Sequence, residues 1–527
     1  MNHVLCGLAA NPALPSELVD RLIDRLIEAE DAAPAADPAA DLAAELAADL
    51  AHELASRPDL SHAQAAALAG RSRETAVRFA YEGRLTAADV DPLTQPLAAL
   101  ALLDEGVGNP AWTRLFASDP ITWHREKLAA CPGLPPDVVE TLTADPNPHV
   151  VAELALWTPD MATAARLAEH PHAEVRRAAA ANEATPPAVL AMLLTGEGLA
   201  PARYCLVCDH EETPCAHDPR CPRPDRDLPR GASCDGSHQS TTYVAQQLAL
   251  SNPATPADAA ARFADHPSDL MRRELAARTD LPPDAARHLA DDLDPGVRAT
   301  LAENPTIDET VIRALAEDRD HEVQRGLARN PRVPLDVLTH LAGATRLGPT
   351  LLPRMAAASP AEIATLAASP DPVVRMLVAE RRDLPAGIRD ALAADPDAKV
   401  AKSVAPHPGL SEAVLRAMVD RHGVQVAARV AVNPDASSAL LEDLARHDSA
   451  DPPARKALRE IARHPNATAP ALLSCLTDQR TRHLAAGHPA LPPPVITDLL
   501  TDDDRQVARA AAANPSLPVE VMSELMP

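Results

Sequence analysis

Aromatic residues are nearly missing from this chain: three Trp, three Tyr and three Phe among 527 residues. A large globular core usually leans on aromatic bulk, so one big core is excluded as the organising feature. Lysine is almost as scarce, occurring only at 127, 399, 402 and 456. An Arg-dominated, Ala-rich composition suits the proteome of a GC-rich bacterium. No apolar run reaches the roughly 18 residues that a membrane span needs. The opening Met1-Asn2-His3-Val4-Leu5-Cys6 lacks the basic segment and apolar stretch of a signal peptide, so cytoplasmic residence is the expectation. Positive charge is outnumbered, with 49 Lys and Arg against 75 Asp and Glu and a formal net charge of −26. Such a chain repels phosphate backbones overall, which argues against nucleic acid as partner. Motifs of catalysis are also missing. There is no phosphate-binding G-x4-G-K-S/T, no dinucleotide G-x-G-x2-G, no H-E-x2-H and no G-x-S-x-G.

What the chain has in abundance is proline, 54 residues of it, set in Ala- and Leu-rich sequence. Proline starts or stops helices and rarely sits inside them, so many short helices are expected. One punctuation recurs: a small apolar pair, Asn-Pro or a variant, then Leu-Pro or a variant. It reads Asn11-Pro12-Ala13-Leu14-Pro15 near the start and Asn514-Pro515-Ser516-Leu517-Pro518 near the end. The slot steps by 26 through 252, 278, 304 and 330, again through 381, 407 and 433, and from 488 to 514. A fixed period of this size marks a solenoid, here of about eighteen repeats. Within one repeat Val297 and Leu301 share a helical face, Asn304 suits a left-handed turn and Pro305 forbids continuation. Ile307, Val311 and Leu315 then form the stripe of a second helix, whose N-terminal end carries Asp308 and Glu309. Alone, such a helix pair cannot bury its apolar side; stacked, it builds a continuous core.

Units such as Val373-Val374-Arg375-Met376-Leu377-Val378-Ala379, followed by Asp383-Leu384-Pro385, and Val507-Ala508-Arg509, followed by Asn514-Pro515-Ser516-Leu517-Pro518, resemble the leucine-rich repeat variant family. The resemblance covers nearly the whole chain outside two inserts. It implies an all-α, right-handed solenoid of alternating α and 3₁₀ helices, akin to HEAT and armadillo arrays, and a binding scaffold rather than a particular activity. The chain departs from the family pattern between about 60 and 125.

The first insert, about 28–50, is nearly all Ala, Asp, Glu, Leu and Pro and reads as a solvated acidic loop or extra helix. The second holds five of the eight cysteines. Three segments follow: repeats over 1–196, a Cys/His-rich insert over 197–240, and repeats over 241–527 continuing the same stack. Cys205-Leu206-Val207-Cys208 is a C-x2-C knuckle, and Cys234-Asp235-Gly236-Ser237-His238 is a C-x3-H pair. Cys205, Cys208, Cys234 and His238 together make a tetrahedral Zn²⁺ site of three thiolates and one imidazole, with Cys215 and Cys221 as further candidates. The family resemblance adds an alternative. One member couples its repeats to a cysteine-ligated 4Fe–4S cluster, and Cys205, Cys208, Cys215 and Cys221 supply the thiolates for one.

Two other sets of residues invite a binding role. Six aromatics fall between 79 and 157, among them Trp112, Trp123 and Trp157, either as fillers of an irregular stretch or as a partner-binding patch. Arg176, Arg298 and Arg375 recur near the start of the first helix, either paired with turn aspartates or lining a concave groove for an acidic peptide or nucleic acid. The reading that follows is a non-catalytic scaffold for protein or peptide partners with a structural zinc module. The alternatives are an iron–sulfur redox or regulatory protein, a metal-dependent enzyme, or a HEAT-like nucleic-acid-processing enzyme.

Overall fold

In the computed structural model, residues 2–31, 48–205, 239–446 and 452–526 are described. They are all-helical: short antiparallel helix pairs succeed one another, and no strand occurs among the described residues beyond an isolated bridge between His172 and Tyr204. This is the architecture of an α-solenoid. Two compact units divide it, Met1–Ala76 with Gly348–Leu351 and Met355–Pro527, and Val77–Leu347 with Leu352–Arg354. No helix among the described residues is long and apolar enough to cross a membrane.

The turn chemistry explains where each helix begins. Asp294 accepts from the backbone N–H of Gly296 at 2.7 Å, and Pro295 fills the first helical position. Asp320, Asp371, Asp397 and Asp504 cap first helices in the same way. Second helices start on the Leu-Pro element, as at Pro283–Ala290, or on an Asp or Ser cap, as at Glu309–Ala316 and Glu412–His422. The family resemblance implies 3₁₀ geometry for alternate helices. Both helices of each described pair are instead α-helical. Second helices of eight residues exceed the length at which 3₁₀ geometry holds, and their proline and side-chain caps favour the α form.

The Asn slot also differs from its sequence reading. Asn304 is not left-handed; its φ is −66° and ψ 120°. In that extended conformation its side chain reaches the preceding repeat. Its Nδ2 donates to Ala276 O at 2.7 Å and Arg278 O at 2.7 Å, while its Oδ1 accepts from Thr306 N at 2.9 Å. A helix leaves its last carbonyls without partners. Here the next repeat supplies them.

This ladder repeats within each unit. In the second, Asn330 donates to Ala302 O and Asn304 O at 2.9 and 2.8 Å, and Arg278 to Leu250 O and Asn252 O at 2.5 and 3.0 Å. Asn252 donates to Ala180 O and Asn182 O, both at 3.0 Å. The helix Gln239–Ser251 therefore stacks directly on Ala173–Ala181 across the intervening insert. In the first unit the rungs run from Arg381 to Asn433, His464, His488 and Asn514. They continue through the chain's own start. Asn11 donates to Ala512 O at 3.0 Å and Asn514 O at 2.7 Å, and Arg57 donates to Ala9 O and Asn11 O, both at 2.8 Å. The first helix, Asn2–Ala10, thus takes the place of the next repeat after Arg505–Ala512. Val4 packs on Ala508 and Ala512. Arg21 donates to Met526 O at 2.7 Å, and Arg509 pairs with Glu53.

Gly7 permits this junction. A Cβ there would lie 2.2 Å from Arg509 O and 2.9 Å from the Ala512 Cβ. Gly326, at the equivalent position four residues before its Asn, would place a Cβ 2.6 Å from Ala299 O. Gly7→Val is expected to destabilise the first unit by about 1–3 kcal/mol and to expose the N-terminal helices to protease. Gly387→Ala is the control, since nothing lies within 4 Å of a Cβ there; it should leave the thermal midpoint unchanged or raise it.

His407 occupies a rung but is fully buried, and neither ring nitrogen makes a hydrogen bond of good geometry among the described residues, although the Ala379 backbone lies near enough to favour its charged form. Burial pushes its pKa down to about 4, with Arg382 acting in the same direction. The folded chain refuses a proton that the unfolded chain accepts. Stability is therefore complete above the ordinary value of 6.5 and falls as pH drops from there towards about 4, by up to about 1.4 kcal/mol per unit. Burial lowers His488 too. His407→Asn restores a donor to the rung. Thermal melts of the two proteins should diverge as pH falls from 7 to 5; parallel curves would refute this assignment.

Candidate functional site

A cleft of about 460 Å³ opens in the second unit beside Trp157. It lies between the rung positions held by Cys131 and Thr158, with Pro136, Val139 and Pro159 on its walls. Its origin is local. Neither Cys131 nor Thr158 can do what Asn does in the ladder. The Cys131 Sγ approaches Leu100 O only at 3.9 Å, and the Thr158 hydroxyl accepts from its own loop, from Asp160 N at 3.3 Å. Two successive repeats thus lack a carboxamide bridge, and the cleft lies between their rung positions.

The three tryptophans part company here. Trp112 is buried at 7% exposure, whereas Trp123 and Trp157 are exposed at 46% and 59%. Trp157 lines the cleft, its indole N–H donating to Glu153 Oε2 at 3.2 Å. Trp123 stands on the helix Thr122–Ala130 with the Lys127 ammonium 5.8 Å from its ring centroid. Ile121 and Met161 are also exposed, at 52% and 57%. Isolated exposed apolar residues are ordinary, and of these side chains Trp157 is the one that lines the cleft.

The polar groups of the cleft are engaged. Asp160 caps Met161–Ala168 by accepting from Thr163 N at 2.8 Å, and these hydrogen bonds hold its carboxyl below the usual range. Glu140 pairs with Arg166 at 3.0 Å. Burial pushes the Cys131 thiol up to about 12, and the nearby Asp104 adds to it, so the thiolate needed for nucleophilic chemistry does not form near neutrality. The arrangement suits an apolar side chain laid on an indole face, with a charged rim for orientation. The tryptophans were legible in the sequence. The prolines and Val139 were not, although Cys131 and Thr158 in place of Asn was the available signal.

The three arginines sit on rungs of a second ladder. Arg298 grips Asp318 with two nitrogens, at 2.6 and 3.3 Å, and donates to Asp292 O at 2.6 Å. Arg375 does the same with Asp395, at 2.7 and 3.0 Å, and with Ser369 O at 2.8 Å. Each fork ties the base of a first helix to the turn twenty residues on. Arg176 has no such aspartate, because the insert replaces that turn. Its guanidinium is buried and donates to His170 O at 2.5 Å and Ala200 O at 2.6 Å. The chain entering the insert is pinned alongside. Arg203 N donates to Pro171 O at 2.7 Å, and Ala173 N donates to Tyr204 O at 2.8 Å.

Cys205 follows immediately and is 1% exposed. The other expected ligands, Cys208, Cys215, Cys221, Cys234 and His238, lie outside the described residues. The acidic stretch about 28–50 lies largely outside them too, apart from the end of the helix Ser16–Asp31 and the start of the helix over 48–55. Comparison with protein families finds no matching family, and comparison with curated proteins finds no matching relative.

Proposed function

We propose that this chain is a protein-interaction scaffold of the leucine-rich repeat variant type. In this reading it is a right-handed solenoid of about eighteen repeats, bacterial and cytoplasmic, whose Trp157 cleft receives a partner's apolar side chain. The observation that carries the reading is the exposed indole of Trp157 over a cleft whose titratable groups are all engaged elsewhere. Trp is the residue most enriched at binding hot spots, and a half-exposed indole has not yet gained the burial it offers. Trp157→Ala should leave the thermal midpoint within about 0.5 kcal/mol of wild type, as surface changes do. The same variant should weaken the partner isolated on wild-type protein by tenfold or more, the cost of a hot spot of at least about 1.4 kcal/mol. A large drop in stability with unchanged binding would make Trp157 a filler and refute the reading.

Cys205, Cys208, Cys234 and His238 are proposed to hold a structural Zn²⁺ that organises the insert. The donor set supports this: three thiolates and an imidazole, with the first ligand buried at the point where the chain is pinned by the His172–Tyr204 bridge. Elemental analysis should find about one zinc per chain, the number a single closed four-ligand site takes. Because the Asn252 rung spans the insert, removing the metal with a chelator should leave the helical melt unchanged. A broad absorption band near about 400 nm in anaerobically purified protein would instead identify the 4Fe–4S alternative.

A further inference from the structure

Three of the four lysines in the whole chain converge on one groove of the first unit. Lys399 and Lys402 come from the helix Ala398–Val404, and Lys456 from the helix Pro452–Ile461. Arg429, from the intervening helix Val424–Val430, and Arg459 join them around a groove of about 700 Å³. These three helices are the first helices of successive repeats and pack side by side. The three lysines are solvent-exposed, and none of the five cations makes an ion pair among the described residues. Glu460 is the only carboxylate among the described residues of the lining.

Register shows how unusual this is. Lys399 and Lys402 stand eight and five residues before the rung at His407; Lys456 and Arg459 stand eight and five before His464. In two other repeats the same pair of positions neutralises itself. They hold Glu174 and Arg177 before Asn182, and Glu322 and Arg325 before Asn330, the latter pair 2.7 Å apart. Arg273, five before Arg278, is paired with Asp269 at 3.0 Å and Asp294 at 2.8 Å. In the groove the first of the two positions, glutamate in those two repeats, is lysine in both. Unneutralised like charges on one face repel, and among the described residues of the lining only Glu460 stands against the five cations. An anionic ligand would compensate them.

We infer that this groove binds an acidic peptide segment of a partner protein, one carrying aliphatic side chains between its carboxylates. Two features select that class over a nucleic acid. The groove has no aromatic residue among its described lining on which a base could stack, whereas Val424 and Val432 are exposed within it at 37% and 38%. The net charge of −26 opposes a long phosphate backbone beyond the groove, while a short peptide meets only the local cations. The inference rests on the scaffold reading of the chain but on a different surface from the Trp157 cleft.

The test uses the full chain and a fluorescein-labelled peptide of alternating Glu and Leu, read by fluorescence anisotropy. A thymidine oligonucleotide of equal length is the competing probe. The wild type should bind the peptide, more weakly as salt rises. The triple variants K399E/K402E/K456E and K399Q/K402Q/K456Q should both bind it at least about tenfold more weakly. Circular dichroism should show both still folded, since the positions are exposed. Lys127→Glu, altering the one lysine outside the groove, and Trp157→Ala should bind as wild type does. A failure of the Trp157 reading therefore leaves this result intact. No binding by the wild type, equal binding by the triple variants, or tighter binding of the oligonucleotide would each overturn the inference.

Discussion

A side-chain N–H reaching from one repeat to the last carbonyls of the helix before it is the interaction on which this structure depends. Short helices stand or fall on their ends, because a nine-residue helix such as Pro295–Glu303 leaves four carbonyls unpaired against few internal bonds. The usual cure is a glycine cap within the same helix. Here the cap comes from the neighbour. Capping and stacking are thereby one event, and no repeat is complete until the next is in place. The same logic brings Asn2–Ala10 onto Arg505–Ala512, where Asn11 caps the chain's last first helix.

Rungs differ in chemistry but not in task. Asn offers one carboxamide to two carbonyls. Arg offers more, and its extra positive charge is met two residues on, by Asp59 after Arg57, Asp280 after Arg278 and Asp383 after Arg381. His464 and His488 each reach one carbonyl, at 2.8 and 3.0 Å. His407 reaches none within hydrogen-bonding geometry, which is why its protonation state matters to the fold. Cys131 and Thr158 give up the bridge, and a cleft appears.

The helices and their stacking were legible because period, proline and cap residues all act locally. The Asn slot could be placed to the residue, yet its role could not. A left-handed Asn and an extended Asn reaching into the next layer share the same Asn-Pro signature, and only the spacing of layers decides between them. The Arg-x-Asp variants carried the missing clue, since a helix terminator has no need of a guanidinium. The tryptophans were visible as a cluster, but which of them is exposed depends on tertiary packing: Trp112 faces inward, Trp123 and Trp157 outward. The cysteine spacing stands as a sequence observation alone.

Net charge was the least transferable part of the sequence. Read as a bulk property, −26 suggests a surface repelling every anion. The structure gives much of that acid a place. Asp294, Asp320, Asp371, Asp397 and Asp504 lie over helix N-termini, where the partial positive charge of the backbone meets them. Asp292, Asp318 and Asp395 are held in guanidinium forks. Carboxylates used in this way contribute little free field to a surface several ångströms off, because each lies against an opposing charge. A small excess of cations can then dominate its own neighbourhood. Four lysines are negligible in a sum over the chain, yet three of them, on two helices flanking a third that carries Arg429, set the sign of an entire groove.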